Sequence, residues 1–363
     1  MGFEELLDKI CQAKDMNYPF VIYRKPNGYK IDALMQKDQN LHYAKDFKES
    51  GFVMAPFNVS DDTVLLSENN CSRFSCNYRS EDFSEFQTSD TFIKTYSKEE
   101  AKNRHVALVE KGISRIKQGD FEKVVLSRAE EVALESFDIS RLFKRMLVTY
   151  PSAFIYIWFH PKIGLWSGAS PETLVKTKGA EFHTMSLAGT QKYEGNLEIS
   201  WGAKEIREQQ IVTDHIIESM EGIPLDTGQT YTKKAGNLLH LCNDIVGQLD
   251  TEASLSELLS KLHPTAAVCG FPKEEVKQFI LNHEGYDRSY YTGFVGELNR
   301  MSTEVNEVTV SSHLFVNLRC MEILINPSLK AVLYIGGGVT ADSIPESEWE
   351  ETVQKSRVMK RVL

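Results

Sequence analysis

The sequence predicts an α+β protein in which large antiparallel β-sheets pack against helices. Long β-type runs follow one another in hairpin-like order, and helical patterns interrupt them. One amphipathic helix is predicted over residues 98–117, because Val106, Val109 and Ile113 recur at helical spacing before Gly119. A second helix is predicted near residues 203–220.

The strands are predicted from runs rich in β-branched and aromatic residues. Residues 1–95 contain short runs, and the polar stretch from Ser67 to Asp90 is predicted to be a loop. We divide the chain into residues 1–95 and 96–363, which we expect to form one structural domain. The predicted strands lie at Phe20 to Tyr23, Thr63 to Leu66, Lys123 to Ala129, Phe154 to Trp158, Leu165 to Ser167, Thr292 to Leu298, Ser312 to Ile325 and Leu329 to Ile335.

Composition excludes several classes of protein. The 363-residue chain has a formal net charge of −10, which argues against nucleic-acid binding because phosphates attract basic surfaces. Acidic residues stand where a signal peptide would be basic, and no run of ~20 apolar residues follows. We therefore expect a cytoplasmic protein with no membrane contact. Six scattered cysteines without CxxC spacing indicate reduced thiols.

The segment from Tyr334 to Lys355 is the most informative part of the chain. Its sequence predicts a strand, then a glycine loop, then a charged helix. Gly336, Gly337 and Gly338 lack a Cβ atom, so their backbone amides could approach a small carboxylate closely. The alternative is a flexible turn.

Acidic residues on two predicted helices could hold a cation. Glu348, Glu351 and Lys355 fall at i, i+3 and i+7, so they share one helix face. Glu208 lies on the apolar stripe of the helix predicted near residues 203–220. Paired with Glu351, it could form a Mg²⁺ site that substrate oxygens and water complete. The alternatives are a solvated helix and, for Glu208, an ion pair with a neighbouring lysine or arginine.

Lys123 and Arg319 are cations within predicted strands. If the face that Lys123 shares with Val125 is buried, its ammonium group is partly desolvated and becomes available as a base or nucleophile. If the opposite face is the buried one, Lys123 is solvated. Arg319 lies on a partly apolar face and needs an anion, either a substrate carboxylate or a structural partner.

Glu172 and His263 each precede or follow a proline. Glu172 follows Pro171, so it could begin a helix and complement the helix dipole, or it could be a carboxylic acid kept protonated for general acid catalysis. His263 precedes Pro264 and is expected in extended backbone. No histidine spacing typical of a zinc enzyme is present.

Taken together, these segments resemble the chorismate-utilising enzymes, and among them the isochorismate synthases. The matching pieces follow one another in the family's order from residue 105 to residue 360. Each is weak alone, but the ordered set is specific. They are residues 123–128, 167–172, 187–190, the helix with Glu208, residues 262–272, 291–293, 318–320 and 337–355.

The resemblance implies the anthranilate synthase component I fold and a Mg²⁺-dependent conversion of chorismate to isochorismate. Lys123 matches the base that activates water for attack at C2, and Glu172 matches the acid that protonates the departing C4 hydroxyl. Chorismate is the only expected partner, and the protein is expected to be a monomer or weak homodimer. Glu208, Glu351 and Glu348 match the Mg²⁺ ligands; Gly189, Thr190, His263, Ala267, Tyr291, Arg319, Gly336, Gly337, Gly338 and Lys355 match the substrate-binding residues.

Individual positions separate members of the family. Relatives that add ammonia lack the lysine base found here as Lys123, and relatives that release pyruvate to give salicylate tend to carry threonine where this chain has Ala267. Isochorismate, for quinone or siderophore synthesis, is therefore the expected product. Ser289 departs from the family's usual glycine, and residues 1–95 resemble the family poorly.

Three alternatives remain open. A salicylate synthase would share the fold and also release pyruvate. An aldolase-type lyase could use Lys123 as a Schiff-base nucleophile, although the glycines and paired glutamates would then be unexplained. A non-enzymatic protein that binds chorismate would bind the ligand without turnover.

Overall fold

Two large antiparallel β-sheets and seven helices make up the part of the chain that the structure describes. The structure is a computed structural model. It describes residues 1–79, 83, 85–86, 99–236, 238–249, 254–304 and 307–363. The predicted α+β class is confirmed.

The strands and helices are numbered in chain order. The helices are α1 Phe3–Asp15, α2 Glu99–Lys117, α3 Ile139–Thr149, α4 Ala203–Ser219, α5 Leu255–Leu262, α6 Lys273–His283 and α7 Pro345–Lys360. The strands are β1 Phe20–Arg24, β2 Lys30–Gln36, β3 Gly51–Ala55, β4 Val64–Ser67, β5 Cys71–Asn77, β6 Lys123–Ala133, β7 Phe154–His160, β8 Gly164–Ser170, β9 Thr173–Lys178, β10 Glu181–Lys192, β11 Leu225–Thr227, β12 Tyr231–Ala235, β13 Leu238–Gln248, β14 Gly270–Phe271, β15 Phe294–Glu304, β16 Glu307–Val316, β17 Cys320–Leu324 and β18 Lys330–Val339.

Each sheet combines strands from distant parts of the sequence. The first sheet has the order β14-β6-β18-β17-β8-β7-β1-β2-β5. The second has the order β11-β13-β10-β9-β16-β15-β3-β4, and β12 pairs with β13. Strands from residues 1–79 therefore belong to both sheets: β1, β2 and β5 to the first, β3 and β4 to the second.

Each strand has two faces. In β1, one face packs against the other sheet and the opposite face packs against helices. In β1, Val21 and Tyr23 belong to a core cluster that also contains Phe52 from the second sheet. The intervening Phe20 and Ile22 pack instead with apolar residues of α1 and α3. This is the period-2 pattern of a strand whose two faces are both covered, so the runs are almost continuously apolar.

The boundaries differ from the predictions at three places. The run predicted as one strand from Ser312 to Ile325 is two strands, β16 and β17, separated by residues 317–319. The stretch predicted as a loop from Ser67 contains a short 3₁₀ helix and β5, while residues 80–82, 84 and 87–90 lie outside the described residues. The helix predicted over residues 98–117 is α2, and Lys98 also lies outside them.

The third difference concerns the glycines. Gly336, Gly337 and Gly338 are part of β18, which continues to Val339, so the predicted glycine loop is wrong. The turn follows at residues 340–344, before α7. Local sequence rules favour a turn at three glycines, but strand β6 pairs with all three positions.

Two strained residues hold the break between β16 and β17. Arg319 has a φ of 49° and Thr292 a φ of 60°, in the left-handed region that side chains disfavour. Backbone hydrogen bonds fix the pair of turns, since the amide of Thr292 donates to Asn317 O at 2.9 Å and the amide of Asn317 donates to Gly293 O at 2.8 Å. Strain of this kind is typical of functional sites.

No helix in the described part of the chain is long and apolar enough to cross a membrane.

Ser289→Gly is expected to raise the free energy of unfolding by about 1 kcal/mol, because Ser289 has a φ of 50° that glycine adopts without strain. Urea unfolding of both proteins measures the difference. Ser114→Gly, within α2, is the matched control and is expected to lower stability by about 0.5–1 kcal/mol. A destabilised Ser289→Gly variant would contradict the assignment of backbone strain to this position.

Candidate active site

A narrow cavity of about 60 Å³ lies between the two sheets at the start of β6 and the end of β18. It brings together residues that are far apart in the sequence. The predicted residues in its lining are Glu172, Gly189, Thr190, Glu208, Ala267, Tyr291, Arg319, Gly336, Gly337, Gly338 and Lys355. Lys123, Glu348 and Glu351 lie directly behind this lining, as described below.

Strand β18 presents unpaired backbone groups to the site. Its partner β17 pairs with it only as far as Leu333, so one edge of the glycine stretch is open. On the other edge, Val125 and Ser127 direct their amides away from β18, to Cys269 O and Glu284 Oε1. The opposed Gly338 and Gly336 therefore direct their own amides and carbonyls away from β6. Lys355 Nζ donates to one of these carbonyls, Gly336 O, at 3.0 Å.

Glycine is needed at positions 336–338 because other side chains lie very close to this stretch of backbone, and not because the backbone has an unusual φ. A Cβ atom on Gly338 would lie 2.0 Å from Glu208 Oε1 and 3.2 Å from Lys123 Cε. A Cβ atom on Gly336 would lie 2.7 Å from the Tyr291 hydroxyl. The strand can therefore pass directly beneath the functional side chains only because these positions lack side chains.

Lys123 is fully buried, so the alternative of a solvated lysine is wrong. Both faces of the first half of β6 are covered, and alternation could not choose between them. Its Nζ lies 3.2 Å from Glu208 Oε1. This contact is an ion pair, and within the described residues Nζ makes no hydrogen bond of good geometry.

Glu208 is held as a carboxylate. Burial alone would raise its pKa, but Lys123, Lys355 and Lys204 together hold the pKa of Glu208 below its ordinary value. The predicted alternative, pairing with Lys204 or a neighbouring arginine, is wrong, because Arg207 pairs with Glu122 at 3.2 Å. Lys204 reaches across to a different glutamate.

Two more lysine–glutamate pairs border the same space. Lys204 Nζ lies 2.5 Å from Glu348 Oε1, and Lys355 Nζ lies 2.5 Å from Glu351 Oε1. Glu348 and Glu351 face Gly337, whose added Cβ atom would lie 3.7 Å from one carboxylate and 3.5 Å from the other. Burial, together with the neighbouring Glu351, raises the pKa of Glu348.

These carboxylates fit a hard divalent cation. Glu348 Oε2 is buried and has no hydrogen-bond partner within the described residues, which leaves an acceptor oxygen uncompensated. Glu208 and Glu351 lie over the neighbouring glycines of the same strand. No group of three acidic, histidine or cysteine side chains in the described chain is close enough to enclose a metal by itself. The arrangement therefore suits a cation that takes its remaining ligands from a bound molecule and water.

Glu172 lies between β8 and β9, so the helix-start alternative is wrong. Its side chain is buried at the cavity wall, and burial raises its pKa to about 8, against the opposing effects of Lys233, Lys123 and Arg319. The carboxyl group is therefore protonated at neutral pH and can donate a proton. The structure supports the general-acid alternative.

Arg319, Tyr291 and Lys355, the residues predicted to bind the substrate carboxylates, all line the cavity. Arg319 was predicted to lie within a strand, and that prediction is wrong. It projects from the strained break between β16 and β17. Its side chain is half-buried, and its Nη2 lies 3.5 Å from His240 Nε2. Because no ion pair joins this guanidinium group to a carboxylate within the described residues, it is suited to a ligand carboxylate.

His240 is a site residue that the sequence reading missed. It lies in β13 and lines the cavity, and its Nδ1 donates to Gly189 O at 2.8 Å, so Nε2 is the unprotonated acceptor beside Arg319. Burial and the neighbouring Arg319 lower its pKa to about 3, which keeps the ring neutral. The only indication in the sequence is that His240 is a polar residue within the otherwise apolar run Leu238–Leu241.

His263, predicted to bind substrate, lies outside the cavity lining. Its Nε2 lies 3.0 Å from Pro56 O, and its ring contacts Phe294 edge-on. These contacts join the loop that precedes Ala267 to Pro56 and Phe294.

The remaining predicted residues line the cavity floor. Gly189 has a φ of 70°, and its carbonyl accepts the hydrogen bond from His240. Thr190 Oγ1 lies 3.4 Å from the same histidine nitrogen. Ala267 lies opposite, after helix α5, and its small side chain leaves that side of the cavity free of a hydroxyl group.

Comparisons with known proteins agree with this geometry. The sequence profile of a family described as chorismate binding enzyme matches residues 53–363. The chain is 30% identical over 275 residues to isochorismate synthase DhbC of Bacillus subtilis, covering 70% of this chain and 66% of the relative. It is 29% identical over 253 residues to the vibriobactin-specific isochorismate synthase of Vibrio cholerae, covering 65% and 60%. The chain spans 54% to 66% of the length of three such curated relatives.

Solved structures share the fold. A putative 2,3-dihydroxybenzoate-specific isochorismate synthase from Bacillus anthracis superposes with a TM-score of 0.75 at 22% identity, covering 98% of each chain. The menaquinone-specific isochorismate synthase MenF of Escherichia coli gives a TM-score of 0.74 at 21% identity, covering 96% of this chain and 89% of that one. The predicted fold is confirmed by these likenesses.

Glu172→Gln is expected to change the pH dependence of stability. The native state keeps the Glu172 proton up to about pH 8, whereas the unfolded chain releases it near the ordinary value of 4.5. The wild-type free energy of unfolding should therefore fall as pH rises through this window, by up to about 1.4 kcal/mol per pH unit, and glutamine removes that fall. Urea unfolding at several pH values from 5 to 9 measures it.

The control is Glu221→Gln, which removes an exposed carboxyl group. A stability difference between Glu172→Gln and wild type that does not grow with pH would show that Glu172 is not kept protonated by the fold.

Proposed function

The chain belongs to the chorismate-binding enzyme family, and from that premise we propose that it is an isochorismate synthase, which converts chorismate to isochorismate with Mg²⁺. One observation carries the proposal: a fully buried lysine and a buried, protonated glutamic acid lie around one cavity that Arg319, Lys355 and outward-facing backbone amides also line. The first supplies a base and the second an acid. The curated relatives named above are isochorismate synthases by name, which supports the same activity.

The substrate is a cyclic dicarboxylate, and the site offers two kinds of anion contact. The side chains of Arg319, Tyr291 and Lys355 provide the first kind of donor. The second kind is the outward-facing amides of Gly336 and Gly338, which carry no side chain to obstruct a carboxylate. Arg319 is the group best suited to a bidentate contact, because its planar fork matches a carboxylate.

The acid and base divide the reaction between them. Lys123, once separated from Glu208 and in its unprotonated form, accepts a proton from water as the water oxygen bonds to C2 of the ring. Both conjugated ring double bonds shift, the C4–oxygen bond breaks, and Glu172 gives its proton to the departing hydroxyl, which leaves as water. One water is consumed and one is released, so the net reaction is an isomerisation.

Mg²⁺ is proposed at Glu208, Glu348 and Glu351, where it would neutralise the carboxylates and the ring carboxylate together. The residues themselves give the reason, since these three glutamates face adjacent glycines and Glu348 Oε2 has no protein partner within the described chain. In this structure the Oε1 atom of each of these glutamates contacts a lysine ammonium group.

The cavity must widen to take this substrate. Its volume of about 60 Å³ is well below the roughly 300–1,000 Å³ of pockets that enclose small molecules. The flexible lysine–glutamate contacts, Lys204–Glu348 and Lys355–Glu351, border the site and can separate without moving the strands. We assign the opening to these side chains.

The second candidate is a salicylate synthase, which would go on to release pyruvate. Ala267 favours the shorter reaction, because it lines the cavity where the pyruvate-releasing relatives tend to carry threonine. We propose that the isochorismate feeds menaquinone or siderophore biosynthesis.

Lys123→Gln is expected to lower kcat for isochorismate formation by about 10²–10⁴-fold, because glutamine fills the same buried space but cannot accept the proton. The assay incubates purified protein with chorismate and Mg²⁺, with and without EDTA, and separates isochorismate, salicylate and pyruvate by chromatography. Lys117→Gln, on an exposed position of α2, is the matched control. Salicylate with pyruvate would favour the second candidate, and no consumption of chorismate by wild type would refute both.

Glu351→Gln is expected to raise the Mg²⁺ concentration needed for half-maximal activity by at least about tenfold, since it removes a charged ligand. Titration of activity against Mg²⁺ measures the shift, and Glu350→Gln, one residue away on the exposed side of α7, is the control. An unchanged Mg²⁺ dependence would place the metal elsewhere.

A further inference from the structure

Lys233 is a half-buried cation of β12 that is not among the residues predicted to form the site. Its Nζ donates to Met185 Sδ at 3.3 Å, and within the described residues it forms no ion pair with a carboxylate. A thioether sulfur is only a weak hydrogen-bond acceptor. The positive charge of Lys233 is therefore not balanced by any group that it contacts.

Strand register places Lys233 at the edge of the candidate active site. It lies opposite His240 in the antiparallel pair of β12 and β13, so both side chains point to the same face of the sheet. His240 lines the cavity. Met185, which Lys233 contacts, lies two positions before Leu187 on β10, and Leu187 also lines the cavity. Lys233 is therefore on the cavity side of both strands, just behind the lining.

The carboxyl group that this charge acts on is that of Glu172, which lines the same cavity. Burial raises the pKa of Glu172 to about 8, and three cations oppose that rise. They are Lys233, which has the largest effect of the three, Lys123 and Arg319. Each of them favours the ionised form of Glu172, because an opposite charge stabilises a carboxylate.

Lys233 differs from the other two cations in having no other assigned role. Lys123 is already paired with a glutamate and is the proposed base. Arg319 lines the cavity and is proposed to bind a substrate carboxylate. Lys233 is therefore the cation that is free to balance a negative charge on Glu172.

The titratable groups of β13 beside Lys233 are neutral near pH 7. Burial and the neighbouring Arg319 lower the pKa of His240 to about 3, so its ring is unprotonated. Burial raises the pKa of the Cys242 thiol to about 11, so it keeps its proton. Neither group adds a charge that could replace that of Lys233.

We propose that Lys233 is a positioning residue for the acid step, in which its ammonium group stabilises the carboxylate that Glu172 becomes on giving its proton to the departing hydroxyl. The role belongs to the reaction proposed above and so rests on the proposed function. As the proton moves to the leaving oxygen, a negative charge remains on Glu172. A cation already in place beside that charge lowers its free energy without touching the substrate.

Lys233→Met tests this role through the pH dependence of kcat for isochorismate formation. Methionine is similar in length, uncharged and able to pack against Met185. The alkaline limb of the profile, on which Glu172 loses its proton, is expected to move up by about 0.5–1 pH unit, because the carboxylate has lost a neighbouring cation. On the plateau kcat is expected to fall about tenfold, whereas KM for chorismate changes by less than about twofold.

The adjacent lysine provides the matched control. Lys234 follows Lys233 on β12 but is exposed, and its Nζ lies 3.6 Å from the centre of the Tyr193 ring. Lys234→Met is expected to leave kcat and the pH profile unchanged, and Lys233→Arg, which keeps the charge, to retain the wild-type alkaline limb. A raised KM with an unmoved limb in Lys233→Met would show that Lys233 binds the substrate directly, and would overturn the proposal.

A measurement without substrate separates this role from the proposed function. Carbon-13 NMR of the glutamate carboxyl groups in the full chain follows the titration of Glu172, whose signal is the one absent from Glu172→Gln. Its midpoint is expected at higher pH in Lys233→Met than in wild type or Lys234→Met. Equal midpoints would overturn the proposal even where wild type converts chorismate. A shifted midpoint in a protein that leaves chorismate unchanged would refute the proposed function but retain the pairing of Lys233 with Glu172.

Discussion

The close approach of carboxylates to the backbone of one strand is the constraint on which the site depends. Glu208, Glu348 and Glu351 come from two helices, yet all three reach β18 where it has no side chains. Any side chain at Gly338 would displace Glu208, and with it the buried contact to Lys123. The glycines thus determine how deeply the acidic helices can pack, and that packing places base and carboxylates in one volume.

The packing of these glutamates against β18 also brings their negative charges into the interior of the protein, where each charge is balanced by its surroundings. Three lysines balance the three glutamates, while Glu172, which lies apart from those pairs, is neutral because burial raises its pKa. The result is one carboxyl group that can donate a proton near others that remain ionised. Environment, rather than residue type, distinguishes these glutamates.

The sequence predicted the fold class and most of the residues that line the candidate site, because strand periodicity, helix patterns and ordered motifs are local. It could not predict what depends on distant contacts. The break at Arg319 follows from pairing with the turn at Thr292, and the straight course of the three glycines follows from pairing with β6. His240 was missed because a single histidine in an apolar strand has no spacing to mark it. The position of His263 outside the cavity lining could not be predicted, because an adjacent motif does not show where a ring points.

The sheet order has a consequence for how this chain reaches its native state. Strand β3 pairs with β15, and β1 lies between β2 and β7, so each sheet joins early and late parts of the sequence. During synthesis, the second sheet cannot close around β3 until residues beyond 294 have left the ribosome. Such a topology has a high contact order, which slows folding and leaves apolar strand edges unpaired in the interval. The chain is therefore expected to depend on protection of those edges while it is being made.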